Sequence, residues 1–193
     1  MASIVKVDTI QNQSGANIIS ESSNTITVGA SGDTITIPSG ATITNSGTAT
    51  GFGVNTPAFS AIKENQTTGQ SDNTYTKITY DTEFYDSDGK FASDKFTPTV
   101  AGKYYLSLSA TAGTSSASSV TSLAIKFYKN GSELAGTGNV AKPEQEVELL
   151  NMVTSAIVTL DADDYVEAYI KIDFSTGTGR VTTSQFSGFR IIE

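Results

Sequence analysis

The chain has no cysteine, no histidine and no tryptophan in 193 residues. Without cysteine there is no disulfide framework, no thiolate nucleophile and no cysteine-held zinc or iron–sulfur site. Without histidine there is no Ser-His-Asp arrangement, no His-ligated metal and no ordinary general base near neutral pH. Catalysis would fall to carboxylates, tyrosine, lysine and arginine. Positive charge is also scarce: 12 Lys and Arg stand against 20 Asp and Glu, a net charge of -8 and a pI near 4.5. That balance argues against nucleic acid as a partner, because a phosphate-binding surface must be basic. No apolar run approaches the roughly 18 residues that suggest a membrane span. The opening MASIVKVDTIQNQSG lacks the apolar stretch of a signal peptide. The expectation is a soluble product without membrane insertion, made in a cytoplasm without processing.

Aromatic residues are almost missing from the first part of the chain, where Phe52 is the only one before Pro57. Ser, Thr, Gly and Asn make up more than half of residues 1–53. Such a segment cannot easily bury enough surface to build its own core. It nevertheless carries a rough repeat: Thr25-Ile26-Thr27, Thr34-Ile35-Thr36 and Thr42-Ile43-Thr44, with Gly29, Gly32, Gly40 and Gly47 between and around the units. Each unit reads as a short alternating strand closed by a glycine turn. One chain of such strands exposes its isoleucines, whereas several chains wound together, or one docked on a larger assembly, would bury them. Residues 1–56 are therefore predicted to be a Thr/Ile/Gly-rich attachment or shaft segment, either an oligomeric shaft or an extended docked arm. Residues 57–193 are predicted to form a separate head.

The head reads as all-β, a two-sheet antiparallel sandwich. Tyr104, Leu106, Leu108 and Ala110 alternate with smaller or polar residues. Leu123, Ile125 and Phe127 do the same before Asn130-Gly131, a tight-turn signal. Val166, Ala168, Ile170 and Ile172 form a third such run, and no stretch sustains a helical period. Residues 152–160 differ, because both faces carry apolar residues and neither carries charge. A strand dry on both sides predicts packing against another subunit, through Val153 and Ile157 on one face, against the plainer reading of a central strand covered by a loop. Phe186 and Phe189, three residues apart on the final strand, must point to opposite sides. One is expected in the core and the other against a partner or cover.

Candidate chemistry is sparse. Asp86-Ser87-Asp88-Gly89 begins like a calcium loop, but Lys90 and Phe91 follow where ligands are needed, and an Asp-Gly hairpin explains it better. Asp161, Asp163 and Asp164 are candidates for holding a hard cation, such as a structural calcium, against the plainer reading of an Asp-initiated turn. Glu144, Glu146 and Glu148 alternate as on a solvated strand face. Paired carboxylates of that kind could serve glycoside cleavage only in a sugar-holding cleft, and none is readable. Arg180, beside Gly177-Thr178-Gly179, is a candidate receptor-loop residue that could bind a carboxylate or sulfate of a glycan. Segments 112–121, 134–142 and 175–182 are predicted loop tips, where binding tends to reside. No catalytic residue, cofactor or assigned metal site is predicted.

The segments PAFSAIKEN (57–65), FYDSDGKF (84–91), FTPTVAGKYYLSLSAT (96–111), AIKFYKNGSELA (124–135), TLDADDYVEAYIKI (159–172) and FSGFRII (186–192) occur in the order of the C1q-like family. Residues 57–193 resemble that family, whose jelly-roll fold is shared with the tumour-necrosis-factor ligands. The resemblance implies a trimeric jelly roll, with a hairpin at the stretch before FTPTVAGKYY and FSGFRII as a centrally packed last strand. Residues 1–56 carry no Gly-X-Y repeat, unlike the collagen-bearing secreted members, and TAGTSSASSVTS (111–122) is unusually rich in small polar residues. The opening SIVKVDTIQNQSG and the Thr/Ile/Gly units resemble fibre and other virion-surface proteins of marine bacteriophages, especially cyanophages. Together these resemblances imply a non-enzymatic phage protein on the virion surface, in tail or capsid, made in the host cytoplasm. They imply a homotrimer that joins other virion proteins through residues 1–56 and adheres to a host surface glycan or protein through its head. A capsid decoration, knob or tail adaptor without receptor specificity is the alternative, and a small glycan depolymerase is a third.

Overall fold

The computed structural model describes residues 9–15, 17–44, 46–47 and 55–191. Lys6, Asp8, Phe52 and Ile192, which entered the reading above, lie outside the described residues. The chain divides into two units, Met1–Gly51 and Phe52–Glu193.

In the first unit, β1 (Thr9–Gln11), β2 (Asn17–Ser22) and β3 (Thr25–Val28) form an antiparallel three-stranded meander. Ser23 and Asn24, both at positive φ, make the tight turn between β2 and β3. Cross-strand pairing sets Ile10 opposite Ile19 and Ile19 opposite Val28. Of the three Thr-Ile-Thr units only Thr25–Thr27 lies in a strand. Thr34–Thr36 and Thr42–Thr44, expected as strands, are unpaired. A strand needs an edge to pair with, and the chain here turns away: the Asp33 carboxylate accepts from Ala30 N at 2.8 Å, closing a turn.

The head contains β4 (Ala58–Lys63), β5 (Thr67–Gln70), β6 (Thr76–Lys77), β7 (Thr82–Asp86), β8 (Phe91–Ala92), β9 (Lys95–Phe96) and β10 (Gly102–Thr114). There follow β11 (Val120–Lys129), β12 (Ser132–Glu133), β13 (Asn139–Ala141), β14 (Leu149–Leu160), β15 (Val166–Phe174) and β16 (Gly179–Arg190). One sheet runs β14-β10-β16-β4-β7, with β5 also on β16. The other runs β12-β11-β15-β9-β8, with β13 on β11 and β6 on β15. All these pairings are antiparallel. The head is thus the predicted all-β, two-sheet antiparallel jelly-roll sandwich.

The two-residue period of each long strand decides what enters the space between the sheets. Tyr104, Leu106, Leu108 and Ala110 meet Leu123, Ile125, Phe127, Val166, Ala168, Ile170 and Ile172, all buried. At one side of this core sits an aromatic cluster. Phe59 stacks on Phe96 at 4.4 Å and meets Phe186 edge-on at 4.7 Å, while Phe186 reaches Phe127 of the opposite sheet at 5.5 Å. Such rings dominate core energetics by area and add geometric preference. Gly188 makes room for them: a Cβ there would lie 2.7 Å from Leu106 Cδ2 and 2.8 Å from the Tyr105 carbonyl oxygen.

Several connections differ from expectation. The Asp86–Gly89 turn joins β7 of one sheet to β8 of the other, so it is a crossing rather than a hairpin. The Asp86 carboxylate accepts from Lys90 N (3.0 Å) and Phe91 N (2.8 Å). The hairpin comes one step later, between β8 and β9, around Ser93 and Asp94 at positive φ. Asn130-Gly131 does make the predicted hairpin turn, between β11 and β12. Glu144, Glu146 and Glu148 lie in an exposed loop and not on a strand, because Lys142 and Pro143 end β13 and the only pairing before β14 begins at Leu149 is the isolated bridge of Val147 with Val120. In β16, Thr182 is an extra residue: Thr111 pairs with Thr183 and Ala112 with Val181, which is a β-bulge.

Candidate assembly face

The register of β14, β10, β16 and β4 determines what this sheet shows on its outer side. Tyr105 pairs with Ile157 on one flank and Phe189 on the other, and Phe189 pairs with Ala58. One step along, Ser155, Ser107, Ser187 and Ser60 form a row of serines. Next come Val153, Ser109, Gln185 and Ile62, then Asn151, Thr111 and Thr183. None of these outward residues is charged. Ile157 is 64% exposed, Val153 55% and Phe189 40%. The Tyr105 and Phe189 rings lie 5.4 Å apart.

Polar groups on this face bond within its plane. Asn151 Nδ2 donates to Thr111 Oγ1 at 2.8 Å, and Gln185 Nε2 to Ser60 Oγ at 3.1 Å. A covering surface would therefore not strip these amides of their partners, which is the usual cost of burying polar groups. Towards the end of the sheet that holds Thr111, a shallow hollow of about 400 Å³ is lined by Ile62, Ser109, Asn151, Thr183 and Gln185 among others.

Phe186 and Phe189 lie on opposite sides, Phe186 fully buried in the aromatic cluster and Phe189 outward. Strand 152–160 occupies β14, the edge of its sheet; Met152, Val158 and Leu160 face the core while Val153 and Ile157 face out.

The outer side of the second sheet is built differently. Tyr128 and Tyr169 stack at 3.9 Å, and Tyr75 lies 6.4 Å from Tyr128. Lys126 Nζ sits 4.1 Å from the Tyr75 ring centre and 2.7 Å from Glu133. Burial alone would lower the Lys126 ammonium pKa, but its hydrogen bonds to Glu133 and Tyr75 outweigh that and leave it raised. Lys77 pairs with Glu167 at 3.3 Å. Burial pushes the Tyr169 hydroxyl pKa up, and neighbouring Glu167 adds to it.

Arg180 lies on β16, not in a loop. The glycines before it end the preceding turn and the strand begins at Gly179. Its Nη2 is 2.6 Å from Glu148 Oε1, and its Nε is buried without a hydrogen-bond partner among the described residues. The guanidinium is thus committed to an intramolecular pair that no sequence spacing announces.

Asp161, Asp163 and Asp164 form a turn. Asp164 accepts from Lys129 (2.6 Å), from Asn130 Nδ2 (2.6 Å) and from Asp161 N (2.7 Å). These bonds, the Lys129 contact foremost, lower its pKa to about 2. Asp163 and Asp161 are exposed. Among the described residues no group of three or more His, Cys, Asp and Glu is gathered so as to hold a metal ion. Another recess of about 400 Å³ is lined by Tyr80, Asp81, Glu83, Phe91 and Asp94 among others. Two of its carboxylates serve the backbone: Asp81 accepts from Glu64 N and Asn65 N, which lowers its pKa, and Asp94 accepts from Tyr80 N. Among the described residues, no helix is long and apolar enough to cross a membrane.

Comparison with known proteins bears on residues 58–191, which match the sequence model of the C1q domain. A similar solved structure is the globular domain of zebrafish complement 1qA protein. The two share 20% identity over 71% of this chain and 98% of that one, with a TM-score of 0.52. No curated protein matches the chain.

Proposed function

The chain belongs to the C1q domain family, and on that premise we propose that it is a non-enzymatic surface protein whose heads pack in threes through the outer face of the β14-β10-β16-β4 sheet, which carries no charge from the Tyr105 row to the Thr111 row. C1q domains commonly assemble as trimers and generally serve structural or recognition roles. The observation that carries the reading is the exposed apolar row Ile157–Tyr105–Phe189, with uncharged rows of serine, threonine and amide residues on one side of it and Lys103 of β10 on the other. A water-facing sheet side normally alternates to charged and strongly polar residues, and an apolar patch of this kind marks an interaction site. Carboxylates engaged with backbone amides at Asp81, Asp86, Asp94 and Asp164 support the non-enzymatic part.

The setting we propose is the surface of a bacteriophage virion, tail or capsid. Residues 1–56 join other virion proteins and the head adheres to a host surface glycan or protein. The opening of the chain, similar to those of cyanophage fibre proteins, supports this setting. Threefold presentation would multiply weak contacts into useful avidity. Light scattering on the purified chain should give about three times 20.2 kDa, and virions lacking the head should lose adsorption. Normal adsorption by headless virions would favour the second reading, a structural decoration or adaptor. That reading has its own support: Lys77, Lys126 and Lys129 on the second sheet are paired within the chain.

A further inference from the structure

Alternation along β4 sends Phe59 and Ala61 between the sheets, and it sends Lys63 there as well. Lys63 is only 5% exposed. It borders a recess of about 90 Å³ walled by β5 and β16 of one sheet and by β6 of the other. Thr67 pairs with buried Val181 and Thr76 with buried Ile170, so both of these lining residues turn to the core side of their strands. An ammonium has three hydrogens to donate. Among the described residues Lys63 Nζ meets one acceptor, Thr79 Oγ1, at 3.4 Å, longer than an ordinary N–H···O bond. No carboxylate among the described residues forms an ion pair with it. Asp81 is within electrostatic reach, but its two oxygens accept from Glu64 N at 2.8 Å and Asn65 N at 2.9 Å. Lys77, the other cation of the lining, is already matched by Glu167 at 3.3 Å. A buried charge without a counter-charge is costly unless something supplies one.

We propose that this recess is an anion site, in which a tetrahedral oxyanion sits against Lys63 Nζ. The oxyanion is either a free sulfate or phosphate ion or the sulfate group of a glycan. The lining is suited to it, because it holds no carboxylate and several neutral donors. The side chains of Thr67 and Gln70 form no hydrogen bond among the described residues, and the Thr79 hydroxyl, accepting from Lys63, keeps its own hydrogen to give. The volume is several times what one water needs. Water alone would leave the charge uncompensated, whereas an oxyanion balances it and takes up the remaining ammonium hydrogens in charge-assisted bonds. Every lining residue belongs to one head, so the site does not depend on the threefold assembly proposed above.

Titration calorimetry on the full chain at constant ionic strength tests the site, with sodium sulfate, sodium phosphate and galactose 6-sulfate as probes. The expected result is one saturable oxyanion site per chain, weakened about 10-fold or more by Lys63→Met. Thr67→Val, which removes a hydroxyl and no charge, should weaken it about 3- to 10-fold and carries the test if Lys63→Met does not fold. Lys126→Ala, on the outer side of the second sheet, should leave it within about twofold. Binding of galactose 6-sulfate tighter than that of the free ions, and lost with Lys63, would assign the site to a glycan. Binding of the free ions alone would assign it to a resident anion. No saturable binding of any probe would overturn the proposal, as would binding that neither Lys63→Met nor Thr67→Val alters.

Discussion

The head has two outward faces, and they handle water in opposite ways. Over the β11–β15 sheet, Lys126, Glu133, Lys77 and Glu167 are matched in ion pairs, and tyrosines fill the space between. Over the β14-β10-β16-β4 sheet, every residue from the Tyr105 row to the Thr111 row is uncharged, and the apolar ones are left open. A charged group is costly to bury and cheap to leave wet. The first surface is therefore suited to solvent, and the second can be covered without uncovering an unpaired charge. The same sandwich core serves both, so the difference lies entirely in the outward half of each alternating strand.

The sharpest way to break this comparison lies on β16. Phe186→Ala should cost about 3–5 kcal/mol, because it opens a cavity among Phe59, Phe91 and Phe127. Phe189→Asp should leave the isolated head about as stable and weaken assembly by about 30-fold, or about 2 kcal/mol. Denaturant unfolding and sedimentation separate the two outcomes; similar behaviour of both variants would erase the distinction between faces. Gly188→Ala should cost about 1–3 kcal/mol by overpacking against Leu106 and the Tyr105 carbonyl, read by the same unfolding curve.

A smaller effect belongs to Asp164. Its carboxylate titrates near 2 in the folded head, below the unfolded value of about 3.9. Its contribution is complete above about pH 5 and is lost progressively as pH falls through 2 towards 1. Asp164→Asn should cost about 1–3 kcal/mol at pH 6, and the gap to the native protein should narrow as pH falls through 2 and close by about pH 1 in pH-dependent unfolding. Smallest of all, Lys126→Ala on the wet side should change stability by no more than about 1 kcal/mol and leave the sedimentation profile unaltered. Loss of the trimer there would mean that assembly uses the wrong face.

Alternation along a single strand was readable in advance: Tyr104, Leu106 and Leu108, or Ile170 and Ile172, are where their period puts them. The assembly face was only half readable. Val153 and Ile157 could be marked as partner-facing and one of Phe186 and Phe189 as outward, but which of the two could not be told, and Tyr105 could not be joined to them. Adjacency across strands depends on topology, and those residues come from β14, β10 and β16. Arg180 was misplaced because the glycines before it signal a loop while the strand begins among them. Its partner Glu148 comes from a loop beside a different strand. The Thr-Ile-Thr units misled for another reason. Local pattern reports a preference for extended backbone, whereas a strand exists only once it is paired, and Thr34–Thr36 and Thr42–Thr44 are not paired although β3 leaves its outer edge open.

The bulge at Thr182 has a consequence for how the gene can change. Elsewhere along β16, losing or gaining one codon would exchange inward and outward residues for the rest of the strand, sending Phe186 into solvent. At Thr182 the extra residue stands outside the pairing, with Val181 already opposite Ala112 and Thr183 opposite Thr111. Deleting it would join two residues that keep their partners and their sides, and would remove a hydroxyl that is buried without a hydrogen-bond partner among the described residues. This position is the joint at which the final strand can absorb a change of length. Downstream of it, Phe186 keeps its inward side and Phe189 its outward side whether or not the extra residue is present.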